Sequence, residues 1–255
     1  MTVRTHETLV ADQFGPRAAA YLASAVHAAG ADLDRLAEMV SGRTEARVLD
    51  LGCGGGHVGF RVAPHVREVV AYDLSAEMLA AVAGHAAAQG LGNLRTRQGP
   101  AEQLPFAAAE FDVVLCRFSA HHWGDLDVGL GEARRVLRPD GTAVFIDAIA
   151  PARVALDTHL QAIELLRDRS HVRDYSRREW MAALRAAGFV PGAAVERRLR
   201  LEFAAWIERM RTPQPQIAAI RSLQVAASAE VARHFAIEPD GSFTIDTMSV
   251  EAGPT

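Results

Sequence analysis

From residue 47 onward, short apolar runs alternate with longer segments in which apolar residues recur at helical spacing. The runs predict buried strands near 47–51, 68–73, 93–98, 111–116 and 142–147. The longer segments predict helices over 57–64, 75–89 and 125–137, and Ser75 is a suitable N-cap for the second of them. Asp140-Gly141 predicts a turn before the last of these strands. Strands that alternate with helices are typical of a parallel sheet covered by helices on both faces.

The two ends of the chain differ from this alternating middle. Residues 8–40 are rich in alanine and carry apolar residues near helical spacing, interrupted at Gly15-Pro16, which predicts two helices. The elements predicted after Pro151 are a helix over 152–170, a helix capped by Ser176 and Glu179 and ended by Gly188, a strand over 193–203, an inserted helical pair within 204–236 and a last strand over 243–250.

The length and composition are those of one globular α/β domain. The chain has 255 residues, of which 49% are hydrophobic and 23% are charged, and its mean hydropathy is +0.04. No apolar run is long enough to span a membrane, and the first residues lack the apolar core of a secretory signal. We therefore expect a cytoplasmic protein with no membrane partner.

Charge and cysteine content limit the possible partners further. The formal net charge is −4, so the broad positive field that nucleic acids require is absent. Arginines gather within 167–178 and 197–200, but the acids between them favour solvated faces and local ion pairs. Cys53 and Cys116 have neither a disulfide framework nor metal-ligand spacing, so we expect reduced thiols and no metal. A small molecule is the expected partner.

The glycine cluster after the first strand is the strongest candidate for a ligand site. Residues 47–59 run from an apolar strand, through several glycines, into a helix that begins near His57. Glycine lets the backbone turn sharply and approach a ligand closely. Asp73 ends the next strand, at the spacing where an acid reaches the hydroxyl pair of a ribose. Asp147 and Cys116 also lie at predicted strand ends, where such sheets bind ligands.

Asp50 decides between two kinds of adenosine cofactor. Gly54, Gly56 and Gly59 match the G-x-G-x-x-G pattern of NAD-binding folds. A carboxylate at the strand end would face the negative pyrophosphate of NAD, however, and two unit charges at ~4 Å interact by ~1–4 kcal/mol between bulk water and a protein surface. S-adenosylmethionine carries an ammonium and a sulfonium instead, so the same carboxylate would attract it, directly or through water. The charge argument favours the cationic cofactor.

These stretches resemble the class I S-adenosylmethionine-dependent methyltransferases. The similarity begins with V-L-D-L-G-C-G-G-G-H and V-V-A-Y-D-L-S, and it continues in the right order through G-P-A-E-Q-L-P-F, F-D-V-V-L-C and R-V-L-R-P-D-G. It covers about residues 14–250 and is greatest for the small-molecule branch that includes ubiquinone and menaquinone methyltransferases. The resemblance implies a Rossmann-like, seven-stranded sheet, mostly parallel with an antiparallel last hairpin. It also implies one domain, with an N-terminal helical cover over 1–42, a cofactor-binding core over 43–150 and a C-terminal part over 151–255.

The resemblance also implies which residues bind the cofactor. Gly52, Cys53 and Gly54 would lie along its methionine part, Asp50 would neutralise its ammonium group, and Asp73 would hold the ribose hydroxyls. The remaining positions are Leu74 and Met78 as apolar walls of the adenine site, Pro100, Ala101 and Glu102 beside the adenine, and Cys116 and Arg117 after the fourth strand.

Pro100 departs from the pattern of many relatives, which carry aspartate at this position. Proline offers neither a carboxylate nor an N–H to the adenine amine. The backbone N–H of Ala101 could still meet a ring nitrogen, so we expect cofactor binding to survive. Glu102 is not assigned the missing role.

His121 and His122 are the candidates for a general base. The resemblance places them beside the acceptor, and an imidazole accepts a proton near neutral pH. Adjacent residues point in different directions, so at most one of the two should face the substrate. Further candidates for the acceptor pocket are Phe14, Tyr21, His27, His171 and Arg173, for which core packing or loop-pinning ion pairs are equally good explanations.

The predicted function is methyl transfer from S-adenosylmethionine to an oxygen, nitrogen or activated carbon of a small, cyclic or aromatic acceptor. A non-catalytic protein that binds the cofactor is the alternative from another class, and an NAD-dependent enzyme is the alternative from the same fold. The sequence leaves the acceptor and the oligomeric state open.

Overall fold

The computed structural model describes residues 5–22 and 29–255, which fold around an eight-stranded sheet. The strands are β1 (Arg47–Leu51), β2 (Glu68–Asp73), β3 (Leu94–Gln98), β4 (Phe111–Arg117), β5 (Leu137–Ile149), β6 (Phe189–Pro191), β7 (Val195–Leu201) and β8 (Phe243–Pro254). Their order is β3-β2-β1-β4-β5-β8-β6, and β7 also pairs with β8. β1 to β5 are parallel, whereas β8 runs antiparallel to β5, β6 and β7. The predicted fold class is confirmed, with the short β6 as an eighth strand.

Helices lie on both faces of this sheet. They are α1 (His6–Phe14), α2 (Ala18–Leu22), α3 (Ala31–Val40), α4 (His57–Val62), α5 (Ala76–Ala88), α6 (Leu126–Val136), α7 (Val154–Arg167), α8 (Arg177–Ala186), α9 (Phe203–Met210), α10 (Gln214–Val225) and α11 (Ala229–His234). Short 3-10 turns occupy Gly15–Arg17, Ala63–His65 and Ala120–His122. None of the helices within the described ranges is long and apolar enough to cross a membrane.

Two apolar layers hold the sheet between the helices. On one face, α3, α4 and α5 pack side chains such as Leu36, Val62 and Val82 against β1 and β2. On the other face, α6 and α8 contribute Leu130 and Trp180. Strands buried on both faces read as near-continuous apolar runs, which is why β1, β2 and β4 are visible in the sequence.

β5 begins at Leu137, earlier than the predicted start at 142. Leu137 pairs with Phe111, and the register shifts between Phe111 and Val113. This irregularity lets the exposed residues 138–140 remain in an extended strand instead of forming a turn. The predicted turn at Asp140-Gly141 is therefore wrong.

The C-terminal insertion contains three helices, α9, α10 and α11, where the sequence predicted a pair. The chain breaks after α9 because Arg211 adopts a left-handed conformation and Pro213 follows it. Trp206, Ile220 and Phe235 pack with α7, β7 and β8 into a third apolar cluster. The capping box of Ser176 and Glu179 begins α8 as predicted.

Candidate active site

The glycine turn after β1 forms part of the wall of a cavity beyond the strand ends. Gly52, at φ 71°, has no room for a side chain, because a Cβ atom there would lie 1.8 Å from Ser119 Oγ. The backbone N–H groups of Gly52 and Cys53 both donate to the carbonyl of Tyr72, at 2.8 and 2.9 Å. These bonds hold the turn against the end of β2.

Asp73 is fixed at the end of β2 by two backbone donors. Its Oδ2 accepts from Gly54 N at 2.8 Å and its Oδ1 accepts from Ser75 N at 3.0 Å. Burial raises the pKa of Asp73, while these hydrogen bonds act in the opposite direction. Each carboxylate oxygen keeps a further acceptor site, because a carboxylate has about four in all.

A cavity of about 740 Å³, open mouth included, lies beyond the ends of β1, β2 and β4 and is here called the first cavity. The predicted cofactor residues in its wall are Gly52, Gly54, Asp73, Leu74, Met78, Ala101 and Glu102. Further residues of the wall are Tyr72, Phe118, Ser119 and Trp123 from the sheet side, and His6, Glu7 and Val10 from α1. α1 lies within the helical cover that the resemblance implied over 1–42, but its weak amphipathic pattern does not indicate which of its residues face the cavity.

Asp50 lies behind this wall, not in it. The side chain is 1% exposed, and its Oδ2 accepts from Gly59 N of α4 at 2.9 Å. It points there because alternate residues of a strand face opposite sides, and Asp50 shares the side of α4. Burial, with Asp73 nearby, raises the pKa of Asp50 to about 7.

Four other predicted cofactor residues also lie outside the wall of the first cavity. Cys53 and Cys116 are buried, and burial raises the pKa of both thiols well above the usual value. Arg117 forms a partly buried ion pair with Asp32 at 2.5 Å. The carbonyl of Pro100 accepts from Tyr72 Oη at 3.0 Å.

The two histidines after β4 have different partners and different electrostatics. His121 Nδ1 lies 2.6 Å from Asp147 Oδ1, and the carboxylate opposes the effect of burial and raises the pKa of His121 to about 9. His122 Nδ1 donates to the carbonyl of Ser170 at 3.1 Å, and burial followed by the charge of His121 lowers the pKa of His122 to about 4. At neutral pH His121 is therefore protonated and His122 is neutral.

A second cavity, of about 640 Å³ with its mouth, adjoins the first. Phe14, Tyr21, Phe118 and His122 lie in the walls of both. His121 and Asp174 add polar groups to the second cavity. Its other lining residues are Ala148, Glu164, Arg167, Leu199, Leu201, Trp206, Arg209 and Ile245. The structure thus brings together an open cofactor-sized cavity and a mixed apolar and charged one.

Among the described residues predicted for the acceptor pocket, Phe14 and Tyr21 line the first and second cavities, whereas His171 and Arg173 line neither of these two. His171 Nε2 donates to Gln161 Oε1 at 2.9 Å, and Arg173 forms ion pairs with Asp157 and Glu179. His27 lies outside the described residues. The structure therefore places His171 and Arg173 in the network that holds their loop.

Asp174 is a buried acid that the sequence did not single out. It is 2% exposed, and its Oδ2 has no hydrogen-bond partner among the described residues. Burial, followed by the charge of Glu164, raises the pKa of Asp174 to about 8. No sequence signal marks it, because its burial depends on packing between α7 and the 3-10 turn at Ala120–His122.

Asp174→Asn is expected to raise the free energy of unfolding at pH 8 by about 1–3 kcal/mol. The folded-state pKa lies above the ordinary value of 3.8. The wild type therefore loses some of its stability as the pH rises from about 4 to 8, because in this range Asp174 ionises only in the unfolded chain. Urea unfolding at pH 5 and pH 8 measures the difference, with the exposed Asp127→Asn as control. An equal gain at both pH values would contradict this electrostatic account.

Comparisons with known proteins agree with this geometry. A family model described as a methyltransferase domain matches residues 49–145. The uncharacterized protein YafE of Escherichia coli K12 is 45% identical over 201 residues, which are 79% of this chain and 97% of YafE. The uncharacterized methyltransferase YcgJ of Bacillus subtilis is 36% identical over 200 residues, or 78% of this chain and 79% of YcgJ. A crystal structure of YcgJ superposes with a TM-score of 0.83 at 32% identity, covering 86% of this chain and 96% of that chain.

A shorter match is to a demethylmenaquinone methyltransferase. The protein from Chlorobaculum parvum is 36% identical over 116 residues, which are 45% of this chain and 46% of that protein.

Proposed function

Since the chain belongs to the class I S-adenosylmethionine-dependent methyltransferases, we propose that it methylates an oxygen, nitrogen or activated carbon of a small cyclic or aromatic molecule. The observation that carries this proposal is the pair of adjoining cavities that share Phe14, Tyr21, Phe118 and His122. Aromatic side chains at the junction suit a flat ring. The partial match to demethylmenaquinone methyltransferase supports a cyclic acceptor.

The first cavity has the features that an adenosine cofactor with a methionine tail needs. The turn at Gly52 and Gly54 exposes backbone along one wall, where the methionine part would lie. Asp73 has acceptor sites left for two ribose hydroxyls after it has bound its two backbone donors. Leu74 and Met78 provide apolar walls for the adenine. When bound, the cofactor supplies an already activated methyl group on a sulfonium.

Asp50 supports a cationic cofactor through its charge and not through contact. The carboxyl is buried, with a pKa raised to about 7, so a nearby positive group would favour its ionised form. An anionic dinucleotide would have the opposite effect. Pro100 leaves the adenine edge to the backbone of Ala101, which lines the first cavity.

His121 is the residue that we assign to proton removal from the acceptor. His121 Nδ1 lies 2.6 Å from Asp147 Oδ1, so Nε2 is the nitrogen that would accept the proton. His121 lines the second cavity. A base whose pKa is raised to about 9 is matched to a phenol-type hydroxyl, whose unperturbed pKa is about 10. His122, with its Nδ1 donating to Ser170, has a positioning role in this arrangement.

The cofactor assignment predicts that adenosylhomocysteine, but not NAD, raises the melting temperature. Asp73→Asn should weaken adenosylhomocysteine binding by roughly 10–100-fold, because hydrogen bonds to a charged group contribute about 1.5–3 kcal/mol. Thermal unfolding with each ligand measures the first effect and titration calorimetry the second, with Asp112→Asn as the control. Asp112 Oδ2 accepts a hydrogen bond from Arg47 N at 2.8 Å, at the ends of β1 and β4 that lie away from the first cavity. The Asp112→Asn variant should therefore bind adenosylhomocysteine like wild type. An equal response to NAD, or unchanged binding by Asp73→Asn, would contradict the assignment.

Methyl transfer itself is tested with cofactor carrying a tritiated methyl group and a metabolite extract. Label is expected in a small aromatic or cyclic product. Label that enters only protein or nucleic acid would overturn the proposed class of acceptor.

A further inference from the structure

A cleft rich in arginine lies beside the second cavity, outside both cavities described above. It has a volume of about 690 Å³ with its mouth, and Arg17, Arg167, Arg169 and Arg211 line it. We call this space the arginine cleft. Its other lining residues are Leu9, Asp12, Gln13, Leu166, Met210, Pro213 and Gln216. Basic residues from α7, from the end of α9 and from the turn after α1 thus meet at one place.

Two of these guanidinium groups are held in position by backbone carbonyls. Arg17 Nε donates to Met210 O at 2.9 Å, and its Nη1 donates to Gln13 O. Arg167 Nε donates to Trp206 O at 3.1 Å, and its guanidinium lies 4.9 Å from the centre of the Trp206 ring. Because carbonyls hold Arg17 without neutralising it, its positive charge stays available to a ligand.

The charges of the arginine cleft are balanced only in part by nearby acids. Within the part of the chain that the structure describes, Arg17, Arg169 and Arg211 form no ion pair, whereas Arg167 pairs with Glu164 at 3.3 Å. Among the described residues of the wall, Asp12 is the acidic one. Burial and then the nearby charge of Arg211 lower the pKa of Arg17, and the charge of Asp168 acts in the opposite direction. Like charges held together in this way are relieved by an anion.

Arg211 is held in a strained backbone conformation. Its φ and ψ are 49° and 45°, the left-handed region, and its N–H donates to Glu208 O at the end of α9. Glycine or asparagine takes this position at lower cost. Strain of this kind is concentrated at functional sites.

We propose that the arginine cleft binds a phosphate group carried by the methyl acceptor, an inference that rests on the proposed function. Guanidinium groups bind phosphate oxygens in bidentate fashion. Four of them, against the wall carboxylate of Asp12 and the nearby acids Glu164 and Asp168, leave a positive charge that suits a phosphate or diphosphate group.

The arginine cleft and the second cavity share part of their walls. Arg167 lies in the walls of both spaces. Tyr21, in the cavity wall, donates from Oη to Met210 Sδ of the cleft wall at 3.1 Å. The acceptor would place its ring beside His121 and extend past the contact between Tyr21 and Met210, so that its phosphate lies at the arginine cleft.

Calorimetric titration of the full chain with inorganic pyrophosphate tests the site. Wild type should bind at millimolar or lower concentration in a buffer of constant ionic strength, and R169Q/R211N should bind at least tenfold more weakly. Both residues are exposed, and asparagine accepts the left-handed conformation, so the variant should keep the wild-type melting temperature in chloride. The control is R67Q, which removes an exposed arginine directly before the start of β2 and outside the wall of the arginine cleft.

Each outcome of this titration decides the proposal. No binding by wild type, equal weakening in R67Q, or binding of citrate in preference to pyrophosphate overturns it. Titration with adenosylhomocysteine separates the two proposals, because R169Q/R211N should bind that ligand like wild type. If adenosylhomocysteine binds and pyrophosphate does not, only the arginine cleft fails. A labelled methylation product that anion-exchange resin does not retain would remove the acceptor as the occupant of the cleft.

Discussion

Gly52→Ala is expected to destabilise the protein by about 2–5 kcal/mol and to weaken adenosylhomocysteine binding at least roughly 100-fold. The left-handed φ of 71° costs an alanine about 1–2 kcal/mol, and overpacking costs about 1–3 kcal/mol more. The overpacking arises because the new Cβ would lie 1.8 Å from Ser119 Oγ and 2.5 Å from Ser119 Cβ. The turn must then leave the carbonyl of Tyr72, and displacement of a site by about 1 Å can cost about 100-fold. Thermal unfolding and titration calorimetry measure the two effects.

Gly90→Ala separates backbone strain from the clash. Gly90 has a φ of 72°, but nothing lies within 4 Å of a Cβ built on it, so this variant should lose only about 1–2 kcal/mol and keep full binding. Ser119→Gly in the Gly52→Ala background removes both clashing atoms and should restore most of the binding. If Gly52→Ala and Gly90→Ala lose the same stability and binding, the contact with Ser119 does not constrain the turn.

The central sheet and the first cavity could be predicted because their signals are local. β1, the glycine turn and the start of α4 are contiguous, and each depends on residue type: apolar side chains in a doubly covered strand, glycine where φ is positive. Asp73 could be placed for the same reason, since it ends the next apolar run. Spacing along one strand and turn carries this information without tertiary packing.

The features that could not be predicted depend on distant pairings. His121 and Asp147 are 26 positions apart, and only the parallel register of β4 and β5 brings them together. Asp50 looked accessible because its position in the strand is visible in the sequence, whereas the direction of its side chain depends on the packing of α4. The start of β5 at Leu137 depends on an irregular pairing with Phe111, which overrides the turn propensity of Asp140-Gly141.

His121→Asn is expected to lower kcat by roughly 100–10,000-fold on the acceptor found by labelled methyl transfer, the usual contribution of a general base. Asparagine can still donate to Asp147 from the position of Nδ1, so the buried carboxylate keeps a partner while Nε2 is lost. Because the pKa of His121 is raised to about 9, wild-type kcat/KM should rise about tenfold per pH unit from neutral pH and level off near 9. The variant should lose this dependence. Steady-state kinetics between pH 6 and 10 measure both.

His122→Asn is the matched control, because it keeps a donor for the Ser170 carbonyl and removes only a histidine whose pKa is lowered to about 4. It should reduce kcat less than tenfold and leave the pH profile unchanged. A readout without acceptor is the NMR titration of His121, with its midpoint near 9. The pair with Asp147 also adds stability that is complete below about pH 6.5 and is lost as the pH rises through 9, because the folded-state pKa is the higher one. If His121→Asn kept the wild-type pH profile, Asp147 and His121 would be a structural pair, and proton removal would belong to another group in the second cavity.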